Sequence, residues 1–164
     1  VYNNGLMIGD DEASTIFAPS RHTTRAEYVT ILYRMAGEPE VDGNLKFDDI
    51  FADDWYADAV EWAYENKIVL GYSDTEYGPN DVIRREDAAT ILYRYAEFFG
   101  YDTSARADLS GYGDVDEISD YAMEAMQWIN AEGFIIGDNV VLEPNRGTER
   151  CELAQILMRV CAKF

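Results

Sequence analysis

One spacing occurs three times in this chain, and it constrains the fold more than any single motif. A proline, an arginine six residues later and a second arginine nine residues beyond that recur as Pro19, Arg25 and Arg34, as Pro79, Arg85 and Arg94, and as Pro144, Arg150 and Arg159. The text around the second arginine is nearly copied: ILYRMA from Ile31, ILYRYA from Ile91 and ILMRVC from Ile156. Such a unit is too small to bury its apolar face alone, so its copies must pack on one another.

Each copy has a further half that precedes its proline. NNGLMIG ends at Gly9, ENKIVLG at Gly71 and AEGFIIG at Gly137. Trp62 and Trp128 lie nine residues before the last two glycines, and Trp55 and Tyr121 seven before those. FDDI from Phe47 and YGDV from Tyr112 open these two copies. The first copy would place its tryptophan before Val1, so the chain is expected to hold two whole repeats and one that begins midway, as part of a longer protein. The expected units are 1–39, 47–100 and 109–164.

Each unit reads as helix, loop, helix, and the expected class is mainly α. The first helix is placed from Trp55 to about Asn66, with Trp55, Ala59, Trp62 and Ala63 on one stripe, and its counterpart carries Tyr121, Ala125, Trp128 and Ile129. Phe17-Ala-Pro19 and Tyr77-Gly-Pro79 read as turns. The second helices are expected near 25–36, 85–98 and 150–162. In the first of these Thr24-Arg25-Ala26-Glu27 spells a capping box, Val29, Leu32 and Ala36 form the inner stripe, and Gly37 with Pro39 ends the helix. The later copies read RRED and ERCE without a hydroxyl at that position, which leaves Thr148 as the expected cap of the third. Arg25 and Arg34 fall about 180° apart on the helix and therefore serve different surfaces. The linkers, Glu38 to Leu45 and Gly100 to Leu109, are short enough for successive copies to pack as one body.

Composition excludes several functions. Thirteen basic against thirty-two acidic side chains leave a charge of −19, which disfavours nucleic acid and anionic lipid. A hydrophobic content of 48% argues for a real core, and no apolar run reaches the roughly 18 residues of a membrane span. His22 is the single histidine, so neither a histidine metal cluster nor a catalytic triad can be built. The acidic runs Asp10 to Glu12, Asp48 to Asp54 and Asp114 to Asp120 lack the calcium-loop pattern and read as solvated faces. No carboxylate pair stands out from the repeat, so the chain is read as a non-enzyme with no metal and no cofactor. Tyr72, Tyr77 and Tyr112 are aromatics that could stack on sugar rings. Cys151 and Cys161, about 15 Å apart along one helix, cannot reach the roughly 7 Å a disulfide requires. They are expected as free thiols in small core slots.

Phe47-x-Asp49-Ile50, Trp55, the Gly5 to Gly9 bend, Phe17-x-Pro19 and Thr24-Arg25-Ala26-Glu27 together resemble S-layer homology repeats, over nearly the whole chain. The resemblance implies a tandem triplet in pseudo-threefold arrangement, with the first repeat truncated here, carried by a secreted protein of the bacterial cell surface. It implies non-covalent anchoring to cell-wall polysaccharide, a pyruvylated secondary wall polymer on peptidoglycan. It also places binding grooves between neighbouring repeats, where the motif arginine contributes. Carried onto this chain, that nominates Arg25, Arg85 and Arg150. The acids Glu27, Asp87 and Glu152 beside them stand either in the site or as ion-pair partners of the arginines. Guanidinium suits a pyruvyl carboxylate because it can donate two parallel hydrogen bonds, and a helix start offers unpaired N–H groups to an anion. The alternative is a protein-interaction or surface-layer self-assembly module without sugar binding, with other surface-layer proteins as partners.

Four expectations follow. Trp62 and Trp128 should be buried within their own repeats. The surface near Leu6, Met7 and Leu32 should be exposed or covered by another chain. Arg34, Arg94 and Arg159, outside the family motif, should be structural. Arg25, in the intact motif, should lead in ligand binding, and Arg25→Ala should leave the thermal midpoint nearly unchanged.

Overall fold

A computed structural model describes residues 5–8, 16–135, 137 and 140–163. It is mainly α, with helices α1 (Arg25–Met35), α2 (Ala57–Glu65), α3 (Arg85–Phe98), α4 (Met123–Ala131) and α5 (Arg150–Lys163). Short 3-10 turns at Val115–Glu117 and Asp120–Ala122 lead into α4. The second helix of every copy therefore lies where the sequence places it. The capping box of α1 is complete: the Glu27 N–H donates to the Thr24 hydroxyl at 3.3 Å and the Thr24 N–H to the Glu27 carboxylate at 2.9 Å. In α5 only the return half survives, from the Glu149 N–H to Glu152 at 2.9 Å. The Thr148 hydroxyl accepts nothing, so it is not the cap.

The first helices are shorter than expected, and this corrects the stripe. Trp55 and Tyr121 precede α2 and α4 and are 64% and 52% exposed. Their seven-residue distance from Trp62 and Trp128 imitates a helical repeat, but the backbone turns there. The Ala57 N–H closes a turn on the Asp54 carbonyl, and Tyr121 sits in the 3-10 turn.

Short extended segments before α1, α3 and α5 meet in a ring. The Thr23 N–H donates to the Thr148 carbonyl, Thr148 to Ile83, and Ile83 to Thr23, at 2.9–3.0 Å. Isolated bridges His22 with Glu149, Thr24 with Val82 and Arg84 with Gly147 flank it. This closed triangle gives the three copies a pseudo-threefold relation. There the Thr23 and Thr148 hydroxyls are buried without hydrogen-bond partners among the described residues, whereas the third position carries Ile83. A buried hydroxyl without a hydrogen bond costs about 1–3 kcal/mol. Thr148→Val should accordingly raise the thermal midpoint by about 2–4 °C, roughly 1 kcal/mol for a chain of this size. A calorimetric midpoint at or below that of the parent would mean the hydroxyl is satisfied in solution.

Packing runs from one copy to the next. Helix α2 lies on α1, with Trp62 and Tyr33 centroids 5.6 Å apart, and α4 lies on α3, with Trp128 and Tyr93 at 5.5 Å. Both tryptophans are buried, but they join copies as well as contacting their own: Trp62 also meets Tyr95 and Phe98, and Trp128 meets Phe134. A second correction concerns the first copy. Leu6, Met7 and Leu32 are buried within the chain, as part of its own hydrophobic core, with no second chain needed to cover them. The uncovered surface lies on α5, where Met158 is 57% exposed. Cys151 and Cys161 are free, as expected, but they stand on that same open surface and not in core slots.

Candidate functional site

At each junction between copies the motif arginine is folded into its neighbour. Arg25, Arg85 and Arg150 are only 5%, 7% and 5% exposed. The Arg25 Nε donates to the Tyr77 carbonyl and its Nη2 to the Leu70 carbonyl, both at 3.0 Å. Arg85 Nε donates to Leu142 at 2.9 Å, and Arg150 to Phe17 at 2.9 Å and Ile8 at 2.6 Å. The helix starts are engaged in the same way. The N–H groups of Arg25 and Ala26 meet the carbonyls of Asp81 and Pro79, those of Arg85 and Glu86 meet Arg146 and Pro144, and those of Arg150 and Cys151 meet Arg21 and Pro19. These first N–H groups are thus filled by protein carbonyls, and the unpaired donors expected at the helix starts are taken.

The opening motif of the second and third copies holds the receiving loop in place. Asp49 accepts from the N–H groups of Tyr77 and Gly78, and Asp114 from those of Leu142 and Glu143. The bend glycines are needed for close approach: a Cβ at Gly71 would meet the Ser73 carbonyl oxygen at 2.5 Å, and one at Gly137 would strike the Val141 carbonyl and the Tyr112 ring. Acidic runs in the described residues thus serve loop geometry, and no group of three candidate metal ligands occurs among those residues. Gly9 and the Asp10 to Glu12 run fall outside the described residues.

Two equivalent grooves open beside these junctions, and they differ in charge. The groove at Arg85, about 230 Å³, is lined by Glu143, Arg146, Glu152 and Arg159 among others. Here three guanidinium groups face two carboxylates, and two of them are ion-paired: Arg85 pairs with Glu152 at 3.0 Å, and Arg146 bridges Glu152 at 2.5 Å and Glu143 at 2.8 Å. Burial pulls the Arg85 guanidinium below its ordinary range while Glu152 opposes that shift. Burial also works to raise the Glu152 carboxyl, but the Arg146 hydrogen bond, the Glu149 N–H and the charge of Arg85 hold it lower on balance. Arg159 is engaged as well, donating to the Phe134 carbonyl at 3.0 Å.

The groove at Arg25, about 340 Å³, is lined by Leu70, Tyr72, Arg84, Asp87, Arg94 and Tyr121 among others. Arg25 has no carboxylate partner among the described residues; the rings of Tyr72 and Tyr77 face it at 4.5 and 4.7 Å. Asp87, its counterpart acid, is taken by Arg84 at 2.9 Å and by the Tyr121 hydroxyl at 2.6 Å. The hydrogen bond that Arg84 donates to Asp87 is the largest cause raising the Arg84 pKa. Arg94 is the exception in the set. Arg34 and Arg159 donate to the carbonyls of Leu6 and Phe134 at 3.5 and 3.0 Å. Arg94 makes no hydrogen bond or ion pair with the described residues, and burial draws its pKa down while Glu97, Tyr121 and Asp87 oppose. The groove thus holds three guanidinium groups, of which Arg84 is engaged by Asp87 and by the buried Glu86 at 3.0 Å, with the exposed Tyr72 and Tyr121 rings on its walls.

The six nominated residues are therefore spread across three junctions. Arg25 and Asp87 line one groove, Arg85 and Glu152 another, and Arg150 faces Glu27 at 3.9 Å in the third. Glu27 is also held by Arg21 at 2.5 Å. Of the candidate stacking residues, Tyr77 is fully buried and Tyr72 is open to the groove. The groove also brings in Arg84, Arg94 and Tyr121, which the sequence reading did not nominate as ligand residues. The signal for Arg94 was present in the nine-residue spacing, which sends it to the opposite side of its helix and hence toward the preceding copy's motif arginine.

Comparison with known proteins places the second copy firmly. The profile of the S-layer homology domain matches residues 46–89. The chain is 34% identical over 159 residues to the surface-layer 125 kDa protein of Lysinibacillus sphaericus, covering 94% of this chain and 13% of that protein. It is 30% identical to exoglucanase XynX of Acetivibrio thermocellus, covering 91% of this chain and 14% of the relative. It is 24% identical to the cellulosome-anchoring protein of Acetivibrio thermocellus, covering 88% of this chain and 33% of the relative. The chain thus spans a third or less of each of these relatives.

Proposed function

Since this chain carries an S-layer homology domain, we propose that it is an anchoring module that holds a protein at the bacterial cell surface by binding an acidic cell-wall polysaccharide, a pyruvylated glycan on peptidoglycan. The observation that carries the reading is the groove at Arg25, where Arg94 lies without a hydrogen-bond or ion-pair partner among the described residues, beside two further guanidinium groups. In a chain of charge −19, a pocket with surplus cation and aromatic walls suits a sugar that bears a carboxylate. Names among the relatives agree, since one is a surface-layer protein and another a cellulosome-anchoring protein. The module is read as a binder and not a catalyst. Relatives named as enzymes are covered over only 6% to 16% of their length, 8% for the amylopullulanase of Thermoanaerobacterium thermosulfurigenes and 14% for exoglucanase XynX.

Within this reading Arg94 is the main cation for the glycan carboxylate, Arg25 shapes the floor, and the groove at Arg85, whose three arginines are all engaged by protein groups, binds more weakly. The test is sedimentation with purified cell walls before and after acid stripping of the non-peptidoglycan polymer. Binding should be lost on stripping. Arg94→Ala should weaken it about tenfold or more, the loss of one charge-assisted hydrogen bond of roughly 1.5–3 kcal/mol, with an unchanged thermal midpoint. Equal binding to stripped walls would favour the protein-interaction reading, and Arg94→Ala binding like the parent would remove this groove from the site.

A further inference from the structure

The two linkers between copies cross the same kind of junction, but only one of them brings a cation to it. Arg106 stands six residues before Tyr112, which opens the third copy, and Val41 stands six before Phe47, which opens the second. Arg106 donates to the Tyr93 hydroxyl at 3.0 Å, lies over the Tyr93 ring at 5.6 Å and faces Glu124 at 3.6 Å. By the repeat spacing, Tyr33 is the counterpart of Tyr93, Asp58 of Glu124 and Glu61 of Gln127. The first junction therefore keeps the ring and the acid, gains a second carboxylate, and has Val41 where the other has its guanidinium.

What stands there is a cavity of about 540 Å³, lined by Tyr33, Glu38, Glu40, Val41, Asp42 and Asp58 among others. Glu38 has Arg34 at 3.8 Å, whereas Glu40, Asp42 and Asp58 make no ion pair with the described residues. Beneath it lies Glu61, only 3% exposed and one turn after Asp58 on the same face of α2. Its Oε1 accepts the Asn44 N–H at 2.7 Å, and its Oε2 is buried without a hydrogen-bond partner among the described residues. A carboxylate oxygen buried in this way is ordinarily met by a donor. Tyr33 registers the convergence of these acids: partial burial raises its phenol first, and the charges of Asp58, Glu38 and Glu61 raise it further. No group of three acids fit to hold a metal ion occurs among the described residues, which favours an organic cation that spreads its contacts over a ring and separate carboxylates. From this we propose that the cavity is a docking site for an arginine side chain presented by a basic segment of a partner protein. The guanidinium lies over the Tyr33 ring and pairs with Asp58, as Arg106 does with Tyr93 and Glu124, while Glu61 adds its negative charge from below. The site is separate from the arginine-lined grooves and independent of whether they bind glycan.

The probe is the peptide acetyl-Gly-Arg-Gly-amide, titrated into the isotope-labelled chain and followed by nuclear magnetic resonance. The same peptide with citrulline for arginine is the uncharged isostere. The Asn44 amide and Tyr33 ring signals should shift saturably with the arginine peptide and stay unmoved by the citrulline peptide. Asp58→Asn, at an exposed position, should weaken binding about tenfold, the loss of one charge-assisted contact. Val41→Arg supplies the counterpart of Arg106 in cis and should abolish the response. Its sedimentation with cell walls should match that of the parent, which keeps this test apart from that of the grooves. The proposal is overturned if both peptides shift the signals alike, or if Val41→Arg binds the arginine peptide as the parent does. It is equally overturned if calcium chloride saturates the same signals at lower concentration than the peptide, since the occupant is then a metal ion.

Discussion

Arg25→Ala is expected to destabilise the fold by about 3–5 kcal/mol, through two carbonyls left without donors at about 1–3 kcal/mol each together with lost cation–π contact. The Tyr77 and Leu70 carbonyls would lose their partner, and the guanidinium between the Tyr72 and Tyr77 rings would be replaced by space. At roughly 2–4 °C per kcal/mol for a chain of this size, the midpoint should fall by about 10 °C. Arg25→Lys should recover part of this, since an ammonium can reach one carbonyl but cannot span both. The sequence alone leads to the opposite expectation, an unchanged midpoint with weaker binding. Differential scanning calorimetry separates the two, and a midpoint within 2 °C of the parent would return Arg25 to the role of a ligand residue. The contrast with Arg94 sharpens the test. Arg94→Ala should leave stability nearly alone and act on binding, so that Arg25 and the Arg94 of the following copy would exchange the roles that the motif assigns.

Trp128→Ala should cost about 3–5 kcal/mol, the usual range for an aromatic lost from a packed core. Its ring is fully buried between Tyr93 of the preceding copy and Phe134 of its own. The loss therefore loosens the junction between α3 and α4 as well as the third copy itself. Trp55→Ala, by contrast, should change stability by no more than about 0.5 kcal/mol, as expected for an exposed site. Urea unfolding of both variants provides the measurement. If the two substitutions cost the same, Trp128 is not the clamp between copies.

Much of the fold can be read from the chain before any coordinates. The spacing of Pro19, Arg25 and Arg34 and its two copies locates α1, α3 and α5 within a residue or two, and Thr24 with Glu27 marks a cap that forms as written. Those features are local: helical periodicity, a hydroxyl three residues before an acid, and a turn proline act within one or two turns of backbone. The same locality explains the error at Trp55, where a seven-residue interval looks helical but the chain turns at Asp54 to Ala57. What the sequence could not settle is which copy each side chain meets. Arg25, Arg85 and Arg150 carry the same motif, yet Arg85 and Arg150 face Glu152 and Glu27 while Arg25 has only aromatic rings and carbonyls. Likewise Met158 and Tyr93 hold equivalent positions, but only Tyr93 lies under a tryptophan. The repeat by itself determined three equivalent helices and the cyclic use of one motif. The tertiary structure decided which of the three junctions is left with surplus charge and which helix is left bare, because charge pairing and burial depend on neighbours that the repeat brings together from some sixty residues away.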